Sequence, residues 1–266
     1  MIRLVISDMD GTLIDRDEVL TEKAMRIAEE LRKKGILFTI ATGRAECMAG
    51  EYVKKMNIQI PYIACNGATI MKGDTVLQRK QIPLKGLKTL MEKADSMNMS
   101  LVYTAAGKEL VYRETPWILG QQREFGRYFH IHAPTGNEWE HMQIDKLMVM
   151  DEVRDGAIAI LEDMCRELPK IYGFTRYTNK SVEIVSCDST KASALKELAR
   201  LLDISPRDVL AVGDHQNDIE MLQFSGIGAV VGNATEDAKK AADYVASAWC
   251  IDGVGEILEK FCGVTV

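Results

Sequence analysis

The chain has no apolar run long enough to cross a membrane, no block of Lys and Arg, no paired cysteines, no internal repeat and no low-complexity linker. Each absence removes a class of protein. With 33 Lys and Arg against 39 Asp and Glu, the formal charge of −6 offers no basic face for DNA or RNA, so nucleic acid is not expected as a partner. Cys47, Cys65, Cys165, Cys187, Cys250 and Cys262 are scattered without a C-x-x-C spacing, which predicts reduced, mostly buried thiols and neither a metal knuckle nor a redox pair. The opening run Met1–Ser7 meets a carboxylate at Asp8 too soon for a signal peptide or membrane helix, so a cytoplasmic protein with no membrane partner is expected. A Walker A loop and a G-x-S-x-G elbow are missing, and Gly226–Gly232 misses the dinucleotide spacing. What is present, 266 residues with 47% apolar content, is ordinary globular composition, able to bury a sizeable core in one domain or two.

Ile2–Ser7 is a short apolar run rich in β-branched residues and stopped by an Asp/Gly/Thr cluster, which predicts a buried strand delivering a loop. Thr21 is placed to cap a helix whose apolar face is Ala24, Ile27, Ala28 and Leu31, and Gly35 ends it. Strands at Ile36–Ala41 and Tyr62–Cys65, with a helix to about Met56 between them, continue an alternation that predicts a parallel sheet covered on both faces. The alternation returns late: a helix from Lys191 to Leu202, a cap at Ser205 with Pro206, a strand Val209–Val212, a short helix through Met221, a strand Gly228–Val231, a helix near Thr235, a strand at Tyr244–Val245 and a closing helix. Between them, a helix Leu84–Met97, strands Leu101–Thr104, Glu109–Tyr112 and Lys146–Met150, a helix Val153–Leu168 and a hairpin of Gly173–Arg176 with Val182–Val185 read as antiparallel α+β. The expected fold is an α/β, Rossmann-like doubly wound parallel sheet core of residues 1–82 and 188–266, interrupted by an α+β insert of residues 83–187.

The strongest local pattern is Asp8-Met9-Asp10-Gly11-Thr12-Leu13: two carboxylates two positions apart and a glycine turn, just past a buried strand. A calcium loop is excluded, since the glycine is fourth rather than sixth and Val19 holds the twelfth position where Glu belongs. A plain polar strand-to-loop junction is one reading. The chemical one is nucleophilic catalysis, in which Asp8 attacks a phosphate while Asp10 donates and then accepts a proton, because a carboxylate attacks phosphorus poorly unless the leaving oxygen is protonated. Gly213-Asp214-His215-Gln216-Asn217-Asp218 follows another predicted strand. If both ends of the chain share one sheet, its carboxylates join the first pair, and four crowded carboxylates call for a divalent cation, Mg²⁺ rather than zinc with oxygen ligands alone. Read in isolation, the same segment is a solvated turn capping a helix. Thr42-Gly43-Arg44 and Lys191 both stand at predicted helix starts, where free N–H groups, the helix dipole and a lysine suit an anion. His130, His132 and His141 lack the carboxylate or cysteine spacing of a metal site.

The joint order of these patterns resembles the haloacid dehalogenase superfamily of phosphotransferases, and within it the Cof-type phosphatases with a large α/β cap (class IIB) inserted after the third core strand. The resemblance spans the chain: D-x-D-G-T-L at Asp8, T-G-R at Thr42, N-G-A at Asn66, the lysine at Lys191, G-D-x-x-N-D at Gly213 and G-N-A at Gly232. It departs at Ala192, where the family commonly has Gly. The resemblance implies Asp8 as nucleophile and Mg²⁺ ligand, Asp10 as acid/base that offers its backbone carbonyl to the metal, Asp214 as a direct ligand and Asp218 supporting the metal's water shell. It implies phosphate contacts from Thr42, Gly43, Lys191, Asn217 and the backbone near Met9, with Arg44, Asn66 and Gly67 towards the substrate and residues 83–187 as a specificity cap. The expected function is a Mg²⁺-dependent phosphatase for small phosphorylated metabolites such as sugar phosphates, working through an aspartyl-phosphate. The competing readings are a hexose phosphomutase and a non-catalytic phospho-ligand-binding or signalling module, the latter disfavoured by Asp10 and by the insert.

Overall fold

The computed structural model describes residues 1–15, 17–154, 156–177 and 179–266. The chain divides into two compact units, one of Met1–Gln78 with Thr190–Val266 and one of Arg79–Ser189.

In the first unit, both ends of the chain build one five-stranded sheet in the spatial order Tyr244–Val245, Ile227–Val230, Val209–Gly213, Leu4–Ser7, Leu37–Ile40. Every neighbouring pair is parallel, with Leu4 opposite both Val209 and Leu37, and Ser7 opposite Val212 and Ile40. Leu4–Ile6 is continuously apolar because the strand is buried on both faces. Val5 packs with Ile27, Leu31, Val254 and Ile257 on one side. Leu4 and Ile6 pack with Ala194, Leu195, Leu198 and Met221 on the other. The chain leaves the first strand towards Leu37–Ile40 and returns on its opposite side as Val209–Gly213, so these two neighbours form the switch point of the sheet, where open α/β folds bind ligands outside the strand carboxyl ends.

The flanking helices follow their caps. Thr21 accepts from the Ala24 N–H and starts the helix Glu22–Lys33, and Thr190 with Ser193 forms a reciprocal capping box at the head of Lys191–Leu201. The third strand departs from the expected parallel role. Tyr62–Ala64 touches the parallel sheet through a single bridge, Ala41 to Ile63, and then pairs antiparallel with Thr69–Lys72 in a separate three-stranded sheet completed by Thr75–Arg79. The cause is local: Cys65, Asn66 and Gly67 take successive positive φ values of 49°, 52° and 95°, which reverse the chain within three residues.

The second unit has a six-stranded sheet in the order Tyr172–Tyr177, Ser181–Ser186, Lys146–Met150, Ser100–Ala105, Lys108–Val111, His130–Ile131, antiparallel except for the last pair. One face buries Leu101, Tyr103, Leu147, Val149, Val182 and Ile184 against the helices Lys88–Ser96 and Ile158–Arg166. The predicted helix Leu84–Met97 begins instead as a tight turn, Leu84–Leu87, and that predicted over Val153–Leu168 is shorter, with residue 155 outside the described residues. Helix Pro116–Phe125, capped by Thr115 and opened by its proline, had no counterpart in the sequence reading. His132 is tied by its ring to the Tyr103 hydroxyl at 2.5 Å and to Glu138 at 3.0 Å. Among the described residues, no helix is long and apolar enough to cross a membrane.

Candidate active site

The first strand delivers Asp8 directly onto the switch point. Its backbone N–H donates to the Val212 carbonyl at 2.8 Å, extending the sheet by one rung beyond Ser7. The chain then winds tightly around the buried Met9, whose carbonyl accepts from the N–H groups of Leu13 and Ile14, both at 2.9 Å. Gly11, at φ 83°, carries the loop so close to the neighbouring loop that a Cβ there would sit 2.5 Å from Asp214 Oδ2. Two long-range bonds fix this approach: Thr12 Oγ1 donates to Asp214 Oδ1 at 3.1 Å, and Asn233 Nδ2 donates to the Gly11 carbonyl at 2.8 Å.

The strand Val209–Gly213 delivers the second loop, and the tight turn Gln216–Asp218 folds it back. Asp218 is fully buried, and its Oδ2 accepts from the N–H groups of Asp214 and His215, both at 3.0 Å. Its Oδ1 accepts from Lys191 Nζ at 2.6 Å, and the same ammonium donates to Asp8 Oδ1 at 2.5 Å. Lys191, 1% exposed, is thus the cation between two carboxylates. Asp8, Asp214 and Asp218 each offer an oxygen within 4.8 Å of one another, the one such cluster of acidic, histidine or cysteine groups among the described residues.

The electrostatics are unbalanced. Burial pushes the Asp8 carboxyl well above the usual carboxylate range; Lys191 opposes this, while the charges of Asp218, Asp214 and Asp10 add to it. Burial and the charge of Asp218 likewise push Asp214 up to about 6, against the pull of Lys191 and the Thr12 hydrogen bond. Lys191 loses stabilisation to burial, yet the charges of Asp218 and Asp8 outweigh that loss and hold it firmly protonated. Three carboxylates therefore face one ammonium, an all-oxygen donor set with negative charge to spare, and the close approach permitted by Gly11 keeps that set together. These residues fit a hard divalent cation and could hold one.

The remaining sequence candidates fall into two groups. Thr42 is buried and its hydroxyl accepts from the Arg44 N–H at 3.1 Å, starting the turn into the helix Glu46–Lys55. Gly43 lies against the Asn66 side chain, whose Oδ1 accepts from Asn217 Nδ2 at 3.0 Å, and Gly67 passes too close to the Thr190 carbonyl for any side chain. Asn66 and Gly67 are thus buried struts linking the Thr42 turn, the Asp214 loop and the head of the Lys191 helix. Asp10 and Arg44 form the second group. The Asp10 side chain is 48% exposed, stands apart from the acidic cluster, and is gripped by the Arg44 guanidinium. Sequence reasoning assigned no role to Thr12, Glu18, Tyr52 or Asn233; Thr12 and Asn233 lie inside the D-x-D-G-T-L and G-N-A patterns, whereas Glu18 sits in a loop without any periodic signal.

Known proteins match this chain over nearly its whole length. The sequence model of the haloacid dehalogenase-like hydrolases matches residues 5–258, and the chain belongs to that family. It is similar to a 5-amino-6-(5-phospho-D-ribitylamino)uracil phosphatase of Bacillus subtilis, at 25% identity over 98% of this chain and 96% of the other. A phosphoglycolate phosphatase of Methanopyrus kandleri is 28% identical over 98% of this chain and 97% of its own length. A solved structure of a phosphatase of the same superfamily from Bacteroides thetaiotaomicron shares the fold with a TM-score of 0.81, at 24% identity over 99% of this chain and 96% of that one. The expected α/β fold with a parallel core is borne out.

Proposed function

We propose that the protein is a Mg²⁺-dependent phosphatase of small phosphate monoesters that works through an aspartyl-phosphate on Asp8. The observation that carries this reading is the placement of Lys191 Nζ 2.5 Å from Asp8 Oδ1, inside a cluster of carboxylates at the switch point of the sheet. In the first step an Asp8 oxygen forms a bond to phosphorus while the bond to the leaving oxygen breaks, and the Asp10 carboxyl gives that oxygen its proton. In the second, Asp10, now ionised, takes a proton from water as the water oxygen attacks phosphorus and Asp8 departs as a carboxylate. Asp8, Asp214 and the Asp10 carbonyl would hold Mg²⁺, with Asp218 supporting its waters; when bound, the ion offsets charge on the transferring phosphoryl group. Lys191 adds a fixed positive charge beside the nucleophile, and Thr42, Gly43, Asn217 and the Met9 backbone are assigned to the phosphate oxygens. The reading assigns the choice among substrates to the inserted unit, and sugar phosphates and related metabolites are the proposed class.

The test is phosphate release from p-nitrophenyl phosphate by the purified full chain. Turnover should require Mg²⁺, and Asp8→Asn should abolish it. Turnover that persists in a chelator, or in the Asp8→Asn variant, would sink the mechanism.

A further inference from the structure

Arg44 is a strong cation beside the site whose described side-chain bonds go to neither the acidic cluster nor Lys191, and every nitrogen of its guanidinium is engaged. Nε lies 3.0 Å from both Asp10 oxygens and Nη2 lies 2.5 Å from Asp10 Oδ1. Nη1 donates to Glu18 Oε2 and to the Tyr52 hydroxyl, both at 3.2 Å, while Nη2 pairs with Glu18 Oε1 at 3.1 Å. The guanidinium packs 5.2 Å from the Tyr52 ring centroid, and the Tyr52 hydroxyl in turn donates to the Glu18 carbonyl at 3.1 Å. The whole residue is 8% exposed, so this fork is anchored on its far side and presents one planar edge to Asp10, whose own side chain is half in solvent.

We propose that Arg44 is the positioning residue of the Asp10 acid/base. The inference rests on the phosphatase reading and deepens it. A carboxyl on an exposed loop residue samples several rotamers; a planar guanidinium, itself locked by Glu18 and Tyr52, confines it to one plane and one bearing. The alternative role for an arginine here is a direct contact to the substrate phosphate. The two roles separate by leaving group. An alkyl alkoxide is a strong base and needs the Asp10 proton as the phosphorus–oxygen bond breaks, whereas a nitrophenolate leaves as a stable anion without it. Misplacing Asp10 therefore slows alkyl esters selectively; losing a phosphate contact weakens all esters alike.

The experiment compares kcat/KM for an alkyl phosphate and for p-nitrophenyl phosphate, since this parameter reports only steps up to departure of the leaving group. Arg44→Ala should lose at least about tenfold more on the alkyl ester than on the aryl ester, within the range general acid catalysis supplies. Arg44→Lys, which keeps charge but not the fork, should recover the aryl rate more fully than the alkyl rate. Glu18→Gln and Tyr52→Phe, which loosen only the far-side anchor, should show the same bias more weakly, and they decide the matter if Arg44→Ala does not fold. Equal losses on both esters in the folded variants overturn the proposal. A wild-type protein inactive on both esters with Mg²⁺ overturns the phosphatase reading instead.

Discussion

Thr12 reaches across 202 residues of sequence to donate its hydroxyl to Asp214 Oδ1 at 3.1 Å. This bond couples the two loops at the switch point and lowers the cost of an ionised Asp214 against the burial that raises it. Thr12→Val keeps the shape and removes the donor, so Asp214 should hold its proton more tightly and compete less well for metal. A Mg²⁺ titration of phosphate release should show half-saturation shifted upward by about tenfold, the worth of one hydrogen bond to a charged group. An unchanged titration would mean that Asp214 is not a ligand.

Gly11 should tolerate no side chain. At φ 83° an alanine pays about 1–2 kcal/mol for the left-handed backbone, and its Cβ would also displace the Asp214 carboxylate 2.5 Å away. Gly35 provides the control, since it has φ 73° but nothing within 4 Å of the added atom. Thermal unfolding should register a loss for Gly35→Ala and a larger one for Gly11→Ala, and only the latter should lose Mg²⁺-dependent activity.

The acidic cluster gives stability an inverted pH response in the absence of metal. Burial and the Asp218 charge push Asp214 up from its ordinary value of 3.8 to about 6 in the folded chain, so between those values the native state binds more protons than the unfolded one. Stability carried by this group therefore falls as pH rises through the window from about 4 to 6, and Asp8, shifted in the same direction, adds to it. Mg²⁺ should reverse the trend, because its ligands bind it deprotonated. The increase in Tm on adding Mg²⁺ should be larger at pH 7.5 than at pH 5; an equal increase at both would place the ion elsewhere.

Much of this site was readable from sequence because its chemistry stands at strand ends. Asp8 and Asp214 each follow an apolar run, and once both runs lie in one parallel sheet their meeting is a matter of topology. Lys191 was readable on different grounds, as a lysine at the start of a predicted helix. What local pattern does not encode is the direction of a reversal or the target of a long side chain. The Asn66-Gly67 pair marks a turn, yet nothing in it says that the chain returns antiparallel and leaves Tyr62–Ala64 with one bridge to the main sheet. Arg44 reads as a helix-start cation facing an anion, and only packing against Tyr52 and the aperiodic Glu18 loop turns it onto Asp10. Nor does the spacing of His130, His132 and His141 say that His132 is taken up by Tyr103 and Glu138.

Far from the acidic cluster, Glu256 fastens the closing helix. It accepts from the Tyr244 hydroxyl at 2.6 Å, the Ser247 hydroxyl at 2.7 Å and the N–H groups of Ser247 and Ala248. These donors, the tyrosine foremost, hold its carboxyl down at about 2. A depressed carboxyl contributes stability above its unfolded value and loses it as pH falls through the folded one. Glu256→Gln should therefore lower Tm at neutral pH, with the gap to wild type closing between about pH 4.5 and 2. A constant gap would mean that the loss is one of shape.

The interleaving of the sheet also sets an order of assembly on the ribosome. Asp8 precedes its partners by about 180 to 200 residues, for its strand is completed on one side by Val209–Gly213, and its ammonium partner is Lys191. Residues 79–189 form a continuous unit that is fully translated before either arrives, whereas residues 1–78 must wait for residues 190–266. Asp8 is consequently made before it is paired: a nascent chain halted before Lys191 carries the D-x-D loop without the ammonium and carboxylates that surround it in the folded unit.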